Sequence, residues 1–161
     1  MIPNVKIAVV TGGGNGIGRA LCRRLHRDGV KVVVVDLDKE AADKVAGEID
    51  GVAYRVDVGD EAAMLALVDD IEKNVGPIDL FASNAGIVCG DGPSGAASAD
   101  AMLSDVPDRW SVSWQVNVMA HVYSARALIP RMAERGGGDL VNTVSAAGLL
   151  SSIGDSAYSV T

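Results

Sequence analysis

Cysteine, positive charge and long apolar runs are all scarce in this sequence, and each scarcity excludes something. Only two of the 161 residues are cysteines. Cys22 and Cys89 stand far apart and match no zinc-ligand or redox spacing, so two reduced thiols are a simpler expectation than a disulfide. Histidines also number two, and no His, Cys, Asp or Glu cluster has metal-ligand spacing, so no metal site is expected. Fourteen Lys and Arg against 21 Asp and Glu leave a net charge of −7. That sign argues against nucleic acid or an anionic membrane as the main partner, because both attract basic surface. Uninterrupted apolar runs stop far short of a membrane span, and no charged-then-apolar leader opens the chain. The resulting expectation is a soluble, cytoplasmic protein. Internal repeats and low-complexity tracts are missing too.

What is present is an alternation of short β-branched runs with longer helical stretches, in a chain that is 48% hydrophobic and long enough for one domain with a real core. Val5 to Val10 reads as a strand and Thr11 to Asn15 as a turn. Ile17, Ala20, Leu21 and Leu25 then fall at helical spacing. Lys31 to Asp36 contains four consecutive valines, the pattern of a strand buried on both faces of a parallel sheet. A helix is expected over Asp38 to Ile49 and a strand over Val52 to Val58. Met64, Val68, Ile71 and Val75 share one face of the next helix, which stops at Gly76-Pro77. Ile78 to Ser83 is a fourth strand. Gly90 to Asp105 reads as a loop or lid. A long helix follows over 108–135, with Trp114, Val118, Val122, Ile129 and Met132 as its apolar stripe and Pro130 as a point where it can kink. Gly136-Gly137-Gly138 ends it before a fifth strand over Leu140 to Val144. The pattern predicts an α/β fold, a Rossmann-like doubly wound parallel sheet with helices on both faces.

Thr11-Gly12-Gly13-Gly14-Asn15-Gly16-Ile17-Gly18 lies between the first strand and the first helix. A tight strand-to-helix turn needs positive φ, and a missing Cβ lets the backbone approach a pyrophosphate. The helix that follows would aim its free N–H groups at that anion. Asp36 closes the second strand about where a ribose-binding acid is expected. A carboxylate there accepts hydrogen bonds from both ribose hydroxyls and repels a 2′-phosphate. No Arg or Lys stands at positions 13 to 17 or at 37 to neutralise such a phosphate, so NAD is favoured over NADP. Asp36 or Asp38 would serve equally well as a helix N-cap.

The spacing T-G-x-x-x-G-x-G resembles that of the classical short-chain dehydrogenase/reductase family, and the resemblance repeats down the chain. Asp57-Val58 looks like the family's adenine contact. Ser83-Asn84-Ala85-Gly86 resembles its N-N-A-G motif with Ser in first place. Asn117, Ser145 and Tyr158 match its active-site Asn, Ser and Tyr. The resemblance implies Gly12, Asn15, Gly16, Ile17, Gly18, Asp36, Leu37, Asp57, Val58, Asn84, Ala85, Gly86 and Tyr158 as NAD contacts. It further implies Tyr158 as acid–base residue, Ser145 as the group orienting the substrate oxygen, and Asn117 as the holder of a relay water. In isolation each has a plainer reading: Asn117 as a satisfied structural amide, Ser145 as a loop cap, Tyr158 as an amphipathic core residue.

A phenol has an ordinary pKa of about 10, so it is a poor acid–base group near neutrality unless its anion is stabilised. The family supplies a lysine four places after the tyrosine, whereas this sequence stops at Thr161. Lys is therefore expected at position 162 of a longer polypeptide, and residues 1–161 read as one dinucleotide-binding and partial catalytic domain lacking the family's C-terminal strands. Without them, weak NAD binding and poor turnover are expected. Val88, Leu149, Leu150 and Ile153 point to an apolar alcohol or ketone as substrate. Apolar residues on several sides of the 108–135 helix, Trp110, Val112 and Met119 among them, point to a homodimer or homotetramer. A non-catalytic NAD-binding sensor or scaffold is the alternative, and a Rossmann-type methyltransferase a third reading.

Overall fold

The structure, a computed structural model, describes residues 5–88, 106–149 and 156–161. Five strands form one parallel sheet: β1 (Ile7–Thr11), β2 (Lys31–Asp36), β3 (Val52–Arg55), β4 (Leu80–Ser83) and β5 (Asp139–Asn142), in the spatial order β3-β2-β1-β4-β5. The helices are α1 (Gly16–Arg27), α2 (Lys39–Glu48), α3 (Glu61–Asn74), α4 (Val106–Trp114), α5 (Ala120–Glu134) and the short α6 (Ser156–Val160). The expected doubly wound sheet is found. Its chain moves outward from β1 to β3 and then crosses to β4, which leaves a topological switch point between β1 and β4. Ligands of open α/β sheets bind at the carboxyl ends of the strands beside such a point.

The valine run explains the centre. Val32, Val33, Val34 and Val35 are all buried, and alternate members face opposite layers. Val32 and Val34 pack with Cys22, Leu25, Val45 and Ile49 under α1 and α2. Val33 and Val35 pack with Met64, Val68, Ile71, Phe81 and Leu128 under α3 and α5. Burial pushes the Cys22 thiol up to about 12, so it should resist iodoacetamide at pH 8 until the protein is unfolded. Peptide-resolved mass spectrometry with and without urea tests this, and labelling of Cys22 in the folded protein would contradict its burial. Cys89 lies outside the described residues, as does the 90–105 segment read as a loop or lid.

Most strand bounds shift by one to three residues from expectation, and the long helix differs most. The third strand ends at Arg55 rather than Val58: Val56 N still donates to the Asp36 carbonyl at 3.1 Å, and Val58 and Gly59 form the turn into α3. The long helix is broken by a π-turn over Gln115–Met119, while Pro130 lies within α5. The expected apolar stripe lies largely on the outer side: Trp114, Val122 and Ile129 are exposed and only Met132 is fully covered. The packed face is instead Ala120, Tyr123, Ser124, Ala127 and Leu128, whose small members let the helix lie close to β4. Arg126 and Arg131 on α5 and Arg135 just after it pair with Glu61, Asp69 and Glu72 on α3, which aligns the two helices along one layer.

Candidate active site

The turn after β1 is built around Thr11. Its hydroxyl oxygen accepts from the main-chain N–H of Asn84 at 2.9 Å and of Ala85 at 3.1 Å. The Asn84 amide donates to the Thr11 carbonyl at 3.1 Å, and Thr143 Oγ1 donates to Asn84 Oδ1 at 3.1 Å. The ends of β1, β4 and β5 are thereby tied together at the switch point. Gly12 has φ +62, and a Cβ on it would lie 2.9 Å from Ala85 Cα. At Gly18 a Cβ would overlap the Gly12 carbonyl oxygen and lie 2.7 Å from Asn84 Nδ2. These positions need glycine for packing alone. Asn15 precedes α1 without a side-chain cap, so the first N–H groups of α1 remain to meet a ligand.

Asp36 ends β2 beside this turn. Its Oδ2 accepts from Gly14 N at 2.9 Å and its Oδ1 from Asp38 N at 3.0 Å. The N-cap alternative resolves onto its neighbour, since Asp38 Oδ1 accepts from Glu40 N and Ala41 N at the start of α2. Asp36 is therefore a carboxylate used by the glycine turn, with acceptor capacity left on both oxygens. Leu37 is exposed beside it. Asp57 Oδ1 accepts from Gly59 N at 2.9 Å, and Val58 is buried in the α3 layer.

Asn117 sits at the centre of the π-turn. Its Oδ1 accepts from Ile87 N at 2.9 Å, and its Nδ2 donates to the Ile87 carbonyl and to Thr161 Oγ1, each at 3.0 Å. The amide is only 9% exposed and is matched on both ends, so in this chain it fixes the segment that leaves β4 against Thr161, which follows α6. Ser145 caps the short turn Ala146–Gly148, its Oγ accepting from Ala147 N at 3.1 Å. That leaves the hydroxyl hydrogen to be donated. Tyr158 lies on α6 and is partly buried.

One cleft of about 1090 Å³ runs across the carboxyl ends of the strands. Its wall includes Gly12, Asn15, Gly16, Ile17, Gly18, Asp36, Leu37, Asp57, Val58, Asn84, Ala85, Gly86, Asn117, Ser145 and Tyr158, so every cofactor and catalytic position expected from the sequence reaches it. Val88 and Leu149 line it too, while Leu150 and Ile153 lie outside the described residues. Thr143 and Ile87 give no such signal in sequence, because their contributions are hydrogen bonds between distant segments. His121 also reaches the cleft, and burial lowers its pKa. Among the described residues no group of three His, Cys, Asp or Glu could hold a metal, and no helix is long and apolar enough to cross a membrane.

Residues 6–161 match the family model for short chain dehydrogenases. The chain belongs to the short-chain dehydrogenase family. It is 32% identical over 147 residues to meso-2,3-butanediol dehydrogenase of Serratia marcescens, covering 89% of this chain and 55% of that protein. It is 36% identical over 160 residues to 1-deoxy-11-beta-hydroxypentalenate dehydrogenase of Streptomyces exfoliatus, covering 95% and 55%. The crystal structure of a short chain dehydrogenase/reductase from Burkholderia phymatum in complex with NAD superposes with TM-score 0.81 at 30% identity, over 97% of this chain and 54% of that one. The chain thus spans about half the length of the short-chain dehydrogenases it matches.

Proposed function

We propose that this chain forms the NAD-binding region and the serine–tyrosine part of the active site of an oxidoreductase acting on an alcohol or ketone. The observation that carries this reading is that the glycine turn, Asp36, Ser145 and Tyr158 share one cleft at the switch point. The residues present fit a dinucleotide. The turn has no side chain at Gly12 or Gly18, Gly16 has open space where a Cβ would stand, and the uncapped start of α1 suits a pyrophosphate. Bound there, NAD supplies a two-electron hydride acceptor.

The chain's own groups do the rest. The first turn of α1 holds the pyrophosphate, and Asp36 takes the adenosine ribose hydroxyls. Leu37, Asp57 and Val58 bound the adenine. Ser145 donates its free hydrogen to the substrate oxygen, and Tyr158 receives the proton leaving an alcohol as its phenolate or returns it to a ketone as the phenol. Asn117 holds the segment after β4 in register with the residue that follows α6. Val88 and Leu149 give the substrate end an apolar wall. Residues 1–161 act as one domain, placed in the cytoplasm, and the exposed face of α4 and α5 with Val112, Trp114, Val122 and Ile129 meets a second copy in a homodimer or homotetramer.

Calorimetric titration with NAD and NADP tests the nucleotide half of the proposal. NAD is expected to bind more tightly, and equal affinities would remove Asp36 from its role. Asp36→Ala should narrow the preference mainly by weakening NAD, by about tenfold, the value of one good charge-assisted hydrogen bond at a part-exposed site.

A further inference from the structure

Arg55 closes β3, and the parallel register pairs it with Asp36. Paired residues of adjacent parallel strands point to the same side of the sheet. The preceding pairs bear this out, since Val35 and Tyr54 pack in the α3 layer while Val34 and Ala53 pack under α1 and α2. Arg55 and Asp36 therefore project together on the α1 and α2 side. The guanidinium is held there by Nε, which donates to the Leu37 carbonyl at 3.2 Å. Leu37 and Asp36 form one wall of the cleft end, and Val56 and Asp57, the next residues along from Arg55, form another, with Arg55 itself just outside this lining.

The charge of this arginine is uncommitted. Arg19, Arg23, Arg24, Arg126, Arg131 and Arg135 are each paired with a carboxylate. Arg55 is exposed and forms no ion pair among the described residues; its one bond is to a neutral carbonyl. With Nε engaged, the two terminal nitrogens keep their donors in the planar fork that suits phosphate oxygens. A cation with spare donors beside the ribose-binding carboxylate opposes that carboxylate's preference.

We propose that Arg55 is a second determinant of dinucleotide choice, a cation at the ribose 2′ position that receives a 2′-phosphate and that Asp36 holds in check. This rests on the cleft being a dinucleotide site, as proposed above. Asp36 repels the 2′-phosphate and Arg55 attracts it, so the native protein prefers NAD but retains measurable affinity for NADP. Removing the carboxylate alone exposes a phosphate site already in place.

The test is a double-mutant cycle read by calorimetry, with Kd measured for NAD, NADP, 5′-AMP and adenosine 2′,5′-bisphosphate. Arg55→Ala is expected to weaken NADP about tenfold relative to NAD, the effect of one charge-assisted contact at an exposed site. Asp36→Ser should tighten NADP, and Arg55→Ala in that background should cancel most of the gain, whereas Arg55→Lys keeps part of it. The same pattern should hold for the bisphosphate against 5′-AMP and should shrink as salt is raised. An arginine that merely props the Leu37 loop would weaken NAD and NADP equally on Arg55→Ala, and that result overturns the proposal. So does an Asp36→Ser gain that survives Arg55→Ala. If Asp36→Ser fails to fold, because Gly14 N loses its carboxylate acceptor, the ratio in Arg55→Ala alone decides the matter. If the native protein binds none of the four nucleotides, the dinucleotide reading itself fails and this proposal falls with it, an outcome distinct from binding that ignores Arg55.

Discussion

Gly18→Ala should destabilise the protein by on the order of 3 kcal/mol and eliminate detectable dinucleotide binding. Alanine is ordinarily the better helix former, by roughly 1 kcal/mol over glycine, so propensity alone predicts the opposite sign. Packing reverses it. The added Cβ would overlap the Gly12 carbonyl oxygen and lie 2.8 Å from the Gly12 carbonyl carbon, and neither is the end of a flexible side chain. To make room, α1 must back away by roughly 1 Å from the turn that it packs against, since carbon and oxygen require ordinary van der Waals separation. The same shift disturbs Asn84, whose amide holds the Thr11 carbonyl. Gly47→Ala provides the control. It lies in α2 with nothing within 4 Å of its would-be Cβ, so it should be neutral or slightly stabilising. Urea melts followed by circular dichroism, with NAD titration of each variant, check both. A stable, NAD-binding Gly18→Ala protein would mean that α1 does not start where it is placed.

Tyr158→Phe should lower turnover by about 10³-fold or more in the natural polypeptide at its full length, because it keeps the ring and removes the proton-transferring hydroxyl. NAD affinity should change little, making this a loss in the transition state rather than in binding. Ser145→Ala should cost somewhat less, on the order of 10²-fold, as for one oriented hydrogen bond to a reacting oxygen. Steady-state oxidation of a panel of secondary alcohols, read as NADH absorbance, measures both. Full activity in Tyr158→Phe, beside intact NAD binding, would leave the non-catalytic binding module as the better reading.

Much of this arrangement is legible in the amino-acid sequence, for a physical reason. The nucleotide end depends on local features: a run of valines, a cluster of glycines, and a carboxylate at a strand end. Each constrains its own backbone, and spacing along one strand–turn–helix unit carries the rest. What stays hidden depends on contacts between distant segments. The covered face of the 106–134 helices is not legible from its apolar residues, because Ser113, Asn117, Ala120, Ser124 and Ala127 are among the buried ones while Trp114, Val122 and Ile129 are exposed, and only the packing on α3 and β4 selects that small, partly polar side. Thr143 looks like an ordinary strand residue until β5 lies beside β4 and its hydroxyl meets Asn84. Arg55 carries no signal in sequence either, since the residue that follows Asp36 along the chain is the uncharged Leu37. Only the β2–β3 register brings residue 55 to the same place.

The stapling of Thr11 to Asn84 also bears on the order in which the molecule assembles. These hydrogen bonds span 73 residues of sequence, and β1 meets β4 only after β2, β3 and their helices have been laid down or looped out. Such non-local pairing makes folding slow and leaves its closure late. The glycine turn can therefore take its final shape only when the fourth strand docks, and a nascent chain that has emerged only as far as α3 holds an unfinished cradle. Nucleotide capture becomes a clock for that last step: during refolding, the gain of adenine-nucleotide affinity should lag the appearance of helix and report the docking of β4.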